Sequence, residues 1–537
     1  MTIYLDYAAT TPVDPRVAEA MVAVLASGET QGNAASATHG AGLQALQIVE
    51  TGRSAVARLV GAPAPQIIFT SGATEANNLA ILGVAAAARR SAGALPAGER
   101  KRPHFVSART EHKSVLDTLK ELERQGAYVT WLEPDEWGRI PPDAVRTALR
   151  DETLLVSVMH ANNELGCIND ITGIAAACRE RGVLLHVDAS QSAGKIPCDV
   201  TVLGVDLMSF TAHKMHGPKG IGALYVRESA RPRIAPIMFG GGHERGLRSG
   251  TLATHQIMGF AEASAICAGQ LADDARHAHA LRARLTRGLE GIPGVIFNTR
   301  PGEESLPGIL NVSFEGVEGE SLVTALDDLA VSTGSACSSA TREPSYVLRA
   351  LGRDAELAQS SLRLSFGRFT TEADIDLAVG AIRRELSRLR VIAGGQGVPG
   401  APLEPSVAHR MPGYASPLNG LGQIHFRRAP RPPEHPEGGA LPTGIRQGRA
   451  GRRSDGAEVL FELEIVDGFV KSARFSAYGC PHTLAVSAWL CEVLEGSRVE
   501  AGPPGTPAEW AERHQVPAEK LGRMLIVEDA LRGAFAG

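Results

Sequence analysis

The chain has 537 residues, with 44% hydrophobic and 21% charged content and a formal net charge of −5. That length exceeds one ordinary core, so two or three globular domains are expected. The acidic balance, with no dense basic run interleaved with aromatics, speaks against direct nucleic-acid binding.

The opening Met1-Thr2-Ile3-Tyr4-Leu5-Asp6 carries neither a basic region nor a long apolar stretch. No signal peptide and no membrane span are expected. Seven cysteines stand at 167, 178, 198, 267, 337, 480 and 491, an odd number without a CxxC pair. Free thiols in a reducing cytoplasm fit that pattern.

Gly32-Asn33-Ala34-Ala35-Ser36, with His39, is a glycine-led turn into a capped helix. Gln66-Ile67-Ile68-Phe69-Thr70 reads as a short strand, and Ser71-Gly72-Ala73-Thr74-Glu75-Ala76-Asn77-Asn78 opens a helix behind it. A strand, a small-residue turn and a helix N-terminus together suit an anion such as phosphate, because free N–H groups point outward. The alternative is a plain capped helix. Ala85–Arg102 reads as a helix end and surface loop, and His104-Phe105-Val106-Ser107 as a strand that His112 follows. Leu154–Met159 and Val183–Asp188 are further buried strands. They run into His160-Ala161-Asn162-Asn163 and Ala189-Ser190-Gln191. Recurring strand, polar tip and helix predict an α/β fold with a mostly parallel sheet, whose ligands gather at strand C-termini.

The apolar run 206–210 predicts another strand, ending in Thr211-Ala212-His213-Lys214 and the turn Gly217-Pro218-Lys219-Gly220. Before residue 400 the lysines are Lys101, Lys113, Lys120, Lys195, Lys214 and Lys219. Of these, Lys214 alone follows a buried strand directly and precedes a glycine-rich turn. A lysine desolvated in a cleft loses basicity and can form a Schiff base with an aldehyde cofactor. The alternative is a surface lysine in a loop. Asn163, Asp188, Gln191, His213 and Lys214 all fall at strand ends.

Phe239-Gly240-Gly241-Gly242 begins a glycine-rich loop that runs through Thr251 to His255. From about 258 the spacing turns helical through Leu289, and 307–331 alternates strands with a helix. Ser332-Thr333-Gly334-Ser335-Ala336-Cys337-Ser338-Ser339-Ala340 is a small-residue loop. Loops of this kind can carry function. Cys178 and Cys267 lie in Ala-rich helical patterns, while Cys167 and Cys198 lie in or near loops and are weaker competitors for a reactive role. Arg363, in Ser360-Ser361-Leu362-Arg363-Leu364, offers a fork for a carboxylate, or else a structural salt bridge.

Thr211-Ala212-His213-Lys214 with Gly217-Pro218-Lys219-Gly220, and Gly334-Ser335-Ala336-Cys337-Ser338-Ser339 with Glu343-Pro344-Ser345-Tyr346, resemble the class V aminotransferase family. Within it they are similar to cysteine desulfurases of the NifS/IscS type, and the likeness covers roughly residues 1–390. The resemblance implies PLP fold type I. It places a large domain at about 15–257, and a smaller α+β domain at about 258–395 that takes in the N-terminal arm. It implies pyridoxal 5′-phosphate (PLP) as cofactor, with Lys214 as its Schiff-base lysine. Ala73 and Thr74 would hold the phosphate. His112 would stack on the ring and relay protons. Asp188 would keep the ring nitrogen protonated. Asn163 and Gln191 would bond the phenolic oxygen, with Thr211 and His213 beside the cofactor. Thr251 would contact the phosphate of a neighbouring subunit, implying a homodimer with shared sites. Asn33, Asn163 and Arg363 would bind the substrate, L-cysteine. Cys337 would take its sulfur as a persulfide, with His112 or His39 assisting its deprotonation, and alanine would leave. Acceptor proteins, iron–sulfur scaffolds among them, would receive that sulfur, and Cys337 could ligate an iron–sulfur cluster transiently. Selenocysteine lyase or another class V transaminase is the alternative.

Residues 396–452, rich in Gly, Pro, Arg and His, read as linker. From 453 onward the chain is similar to an IscU/NifU N-terminal scaffold, as a small α+β unit. Glu458–Val466 and Phe469–Ala477 pair around Asp467-Gly468, and Cys480 precedes a helix. Of the scaffold family's three ligand cysteines only Cys480 is matched; Asp455 and Arg523 stand at the other two positions. A degenerate scaffold, docking a partner or accepting sulfur on Cys480, is expected.

Overall fold

The computed structural model describes residues 2–27, 31–36, 38–92, 102–302, 304–326, 328–333, 344–400, 444–452 and 457–536. A seven-stranded sheet forms the large domain. Its spatial order is Ile67–Thr70, Gly222–Val226, Leu207–Thr211, Leu184–Asp188, Thr153–Met159, His104–Ala108 and Tyr128–Leu132. Gly222–Val226 runs antiparallel to both neighbours, and every other pairing is parallel. Helices cover both faces of a parallel sheet, so its central strands bury every side chain. Leu184–Asp188 and Leu207–Thr211 do so along their whole length. The two histidines within this sheet are cross-strand ties. His104 hydrogen-bonds Thr153 and Thr130, and His186 hydrogen-bonds Ser157 and Ser209. Burial pushes both imidazoles down to about 4, so they stay neutral.

Helix Thr254–Leu289 joins the two domains. At 36 residues it is about 54 Å long. Ile257, Phe260 and Cys267 pack in the large-domain core, while Leu281, Leu285 and Leu289 pack in the small one. The small domain holds an antiparallel sheet ordered Ser361–Ser365, Ile309–Phe314 and Val295–Phe297. The N-terminal strand Ile3–Tyr4 pairs in parallel with Leu329–Ala330 before the chain crosses to the large domain.

Ile445–Arg452, which the sequence reading assigns to the linker, is a strand. It pairs antiparallel with Ala457–Val466 in a sheet completed by Phe469–Tyr478. Its alternation is weak because only Gly448 is fully buried along it. A Cβ at Gly448 would lie 2.1 Å from the Ala530 carbonyl oxygen, so a glycine there lets the strand pass close over helix Leu521–Ala536. The Asp-Gly turn is as the sequence predicts. Asp467 and Gly468 take φ of 51° and 80°, and Val466 faces Phe469. Val459, Phe461, Leu490, Trp510, Val527 and Leu531 fill the core of this unit.

The tail unit is seated on the small domain. Leu525 enters the small-domain core, and Ile392 packs against the tail core. Arg388, 4% exposed, donates to Glu385 at 2.9 Å, Glu528 at 2.7 Å and Asp529 at 2.7 Å. Lys520 pairs with Glu320 at 2.8 Å, and Ser321 Oγ donates to the Ala518 carbonyl. No helix among the described residues is long and apolar enough to cross a membrane.

Candidate active site

Because five neighbouring strands of the large sheet run parallel, their C-terminal ends share one edge. Lys214 lies there, on the short 3-10 turn Ala212–Lys214 after strand Leu207–Thr211. The N-terminal arm holds this turn in place. Thr11 N–H donates to the His213 carbonyl at 2.8 Å, and the His216 N–H donates to Thr11 Oγ1 at 2.7 Å. His213 Nδ1 lies 3.2 Å from Thr10 Oγ1. Burial and then the Lys214 charge push the His213 imidazole down to about 4.

Asp188 ends its strand and is fully ringed by donors. Asn77 Nδ2 donates at 2.8 Å, the Ser190 N–H at 2.9 Å and Ser190 Oγ at 2.5 Å. Burial alone would raise this carboxyl. The Ser190 bonds, the facing His112 and Asn77 outweigh it, and Asp188 lies below the usual carboxylate range. Asp188 is therefore a buried anion, suited to a cationic ring nitrogen. Asn77 was quoted in the helix-opening motif without a role; its contact crosses 111 residues of chain, which no local pattern reveals.

His112 caps helix Lys113–Arg124: its Nδ1 accepts from the Ser114 N–H at 3.1 Å. Since the backbone N–H can only donate, the neutral ring carries its proton on Nε2. Burial first, and then the Lys214 charge, lower its pKa, so it is neutral at pH 7. Gln191 is buried, and its Nε2 donates to the Ala8 carbonyl at 2.7 Å.

Helix Ala73–Ala92 begins directly after strand Ile67–Thr70 and the Ser71-Gly72 turn. Thr211 reaches this turn, with its Oγ1 4.0 Å from a Cβ built on Gly72. Ala73 and Thr74 thus begin a helix whose preceding turn lies beside Thr211, one strand end from the lysine turn. Glu75, next in sequence, is neutralised by Arg248 at 2.8 Å.

Arg363, on strand Ser361–Ser365 and 3% exposed, closes the edge from the small domain. Its Nη2 donates to Asp6 at 2.7 Å and its Nη1 to the Asn163 carbonyl at 3.0 Å. The salt-bridge alternative is thus real, yet Arg363 Nε and Asn163 Oδ1 are buried without a hydrogen-bond partner among the described residues. Two orphaned polar atoms at one edge would incur a desolvation penalty unless a ligand met them. Next to them Glu164 is fully buried and accepts from Ser345 Oγ at 2.5 Å. Burial pushes its carboxyl up to about 7, against Ser345 and Arg363. Tyr346 OH donates to the Glu111 carbonyl at 2.7 Å. Nothing in the sequence singles out Glu111, Glu164 or Ser345, because neither a carboxylate nor a hydroxyl in a motif gives a sign of its burial.

Three expected residues stand apart from this group within one chain. Asn33 and Thr251 are exposed, and Asn33 Oδ1 accepts from the Ala35 N–H. Asn33 instead borders a cleft of about 210 Å³ with Arg53, His243 and Glu244. His39 is exposed and caps helix Gly40–Leu59 through Nδ1. It is not brought to the lysine within the chain, because its ring is spent on the helix end. Cys337 lies outside the described residues. Burial raises Cys167, Cys178, Cys198 and Cys491 to about 12 and Cys267 to about 11, so none of these is a thiolate at neutral pH. Cys480 at the start of helix Pro481–Leu494 is lowered. Burial opposes that shift, and bonds with Thr483 and His482 and the Arg523 charge outweigh it.

A lysine, an ionised aspartate, a helix N-terminus, and the Asn163 Oδ1 and Arg363 Nε atoms left without partners among the described residues together fit a phosphorylated pyridine aldehyde bearing a substrate. The sequence profile described as Aminotransferase class-V matches residues 3–377. Cysteine desulfurase IscS of Shewanella amazonensis is 53% identical over 390 residues, 73% of this chain and 94% of that protein. Its counterpart in Aeromonas salmonicida is 55% identical over the same shares. Among solved structures, a NifS-like protein superposes with a TM-score of 0.64 at 36% identity, covering 71% of this chain and 98% of that one. The structure described as SspA in complex with cysteine gives 0.60 at 34% identity, covering 69% and 100%. The chain belongs to the class V aminotransferase family.

Proposed function

We propose that the chain is a PLP-dependent cysteine desulfurase, which releases sulfur from L-cysteine and leaves L-alanine. The observation that carries this reading is the meeting of Lys214, Asp188, His112 and Arg363 at one sheet edge, with Arg363 Nε unpaired among the described residues. PLP, when bound, supplies an electron sink for the substrate carbon. Lys214 would hold the cofactor, and its Nζ would take the Cα proton. Asp188 stays ionised against the ring nitrogen. Ala73, Thr74 and Thr211 hold the phosphate, Asn163 and Gln191 the phenolic oxygen, and His213 backs the lysine turn. Neutral His112 presents Nε2–H to the ring and passes protons. Arg363 binds the α-carboxylate, with Asn163 beside it.

Cys337 is read from the sequence as the nucleophile. Its thiolate attacks the substrate sulfur; an S–S bond forms, the substrate C–S bond breaks, and the electron pair goes to carbon, which is protonated to alanine. The persulfide then goes to an acceptor, which we assign to iron–sulfur cluster assembly. The tail is read as a degenerate scaffold that docks such a partner. A homodimer with shared sites is part of the proposal. It is supported by the large exposed side chains Phe239 and Leu43, and it would bring Thr251 and Asn33 to the partner's site.

Incubation of the PLP-loaded chain with L-cysteine and a reductant tests the reading. Equal amounts of alanine and sulfide are expected, and Lys214→Ala should abolish both. Sulfide release by Lys214→Ala at the unaltered rate would overturn it.

A further inference from the structure

One half-buried lysine beside the site has no part in the chemistry above. Lys195 is four residues beyond Gln191, so the two side chains meet on one turn. Its Nζ donates to Gln191 Oε1 at 3.2 Å. Gln191 Nε2 in turn donates to the Ala8 carbonyl at 2.7 Å. Lys195 is set among other basic groups: Lys214, Arg363, His213 and His216 all feel its charge or act on it, with the Cys267 thiol on the helix behind. Burial, then the Lys214 charge, lowers its ammonium to about 7. Protonated or neutral, the amine still has N–H to donate.

We infer that Lys195 is a positioning residue for the cofactor, acting by fixing which way the Gln191 amide faces. This rests on the PLP reading above. A glutamine amide fits its pocket almost equally well with O and N exchanged, so something must choose. Here both ends choose alike. The Ala8 carbonyl can only accept, which demands Nε2 on its side. The protonated Lys195 amine can only donate, which demands Oε1 on the other. The flipped amide would set oxygen against oxygen and N–H against the cation. With one Nε2 hydrogen spent on Ala8, the second is left for the phenolic oxygen of the cofactor. Ala8 belongs to the N-terminal arm and Lys195 to the turn after strand Leu184–Asp188. The orientation therefore depends on the arm being seated.

The test is the pH titration of the visible absorption of the bound cofactor in the holoenzyme, which reports the basicity of that oxygen and its proton partner. Lys195→Met removes the donor and keeps the apolar stem. Its midpoint should move up by about one pH unit, because the oxygen loses an oriented donor and grows more basic. Gln191→Leu should give a shift of similar size, and the double variant should add little to either. Lys195→Arg should restore most of the wild-type midpoint. Lys195→Gln, which keeps an N–H donor, stands in if the Met variant does not fold, and its midpoint should lie between those of wild type and Gln191→Leu. Unmoved midpoints in the Lys195 variants, or a double variant whose shift is the sum of the two, would overturn the inference. Absence of any cofactor band in the wild type would instead remove the PLP reading beneath it.

Discussion

The site depends on single groups whose charge state is set by burial. Glu164 is the clearest, since its carboxyl is pushed up to about 7 with Ser345 bonded to it. The folded chain binds this proton more tightly than the unfolded chain, whose glutamate titrates near 4.5. Between those values folding takes up a proton, so stability is full below the unfolded pKa and falls as pH rises through about 7. Glu164→Gln should flatten that loss, gaining on the order of 2 kcal/mol relative to wild type at about pH 8 and little at about pH 5. Thermal unfolding across that range checks it, and parallel curves would count against the assignment. Sequence showed which residues stand at strand ends, hence Lys214, Asp188 and Asn163; Arg363 stood out only as a carboxylate fork, and it lies in the middle of strand Ser361–Ser365. It did not show Asn77, Lys195 or Glu164. Asn77 meets Asp188 across 111 residues of chain, Glu164 is set by its depth below the surface, and Lys195, though only four residues from Gln191, lies in a turn with no periodic pattern.

At the scale of elements, the strands of the large sheet were legible because a doubly covered parallel strand is a continuous apolar run bounded by polar tips. Leu184–Asp188 and Leu207–Thr211 begin within one residue of their predicted starts. Ile445–Arg452 was not legible. With three arginines and two glycines it has a linker's composition, and only pairing with Ala457–Val466 makes it a strand. The contact between helix Glu372–Ile392 and helix Leu521–Ala536 was equally hidden, since it joins Leu525 and Ile392 across the two cores around one buried arginine. Arg388 satisfies three carboxylates at once. Arg388→Ala would leave Glu385, Glu528 and Asp529 facing each other, at about 3–5 kcal/mol. The tail should then unfold or detach in a separate, earlier transition, seen as early proteolytic release of the region beyond residue 400. A variant that resists protease as the wild type does would show the cluster to be incidental.

On the whole-molecule scale, Thr251 and Asn33 are exposed in the single chain, as the proposed shared-site dimer requires of residues that would serve the partner's site. Subunit mixing tests this. Lys214→Ala and Thr251→Glu chains should each be inactive alone, the second because a carboxylate would face the phosphate. Mixed and re-equilibrated in equal amounts, half the dimers are hybrids with one intact site each, so about a quarter of wild-type activity should return. No recovery would place both residues in one chain's site. The central claim is that substrate sulfur passes to the thiol of Cys337, and intact-mass measurement of the holoenzyme tests it most directly. After stoichiometric L-cysteine without reductant, the chain should gain the mass of one sulfur atom, mapped to the peptide containing Cys337, with one alanine released per chain. Cys337→Ser should show neither. Alanine released by Cys337→Ser at the wild-type rate, or the added sulfur on another cysteine, would contradict the account.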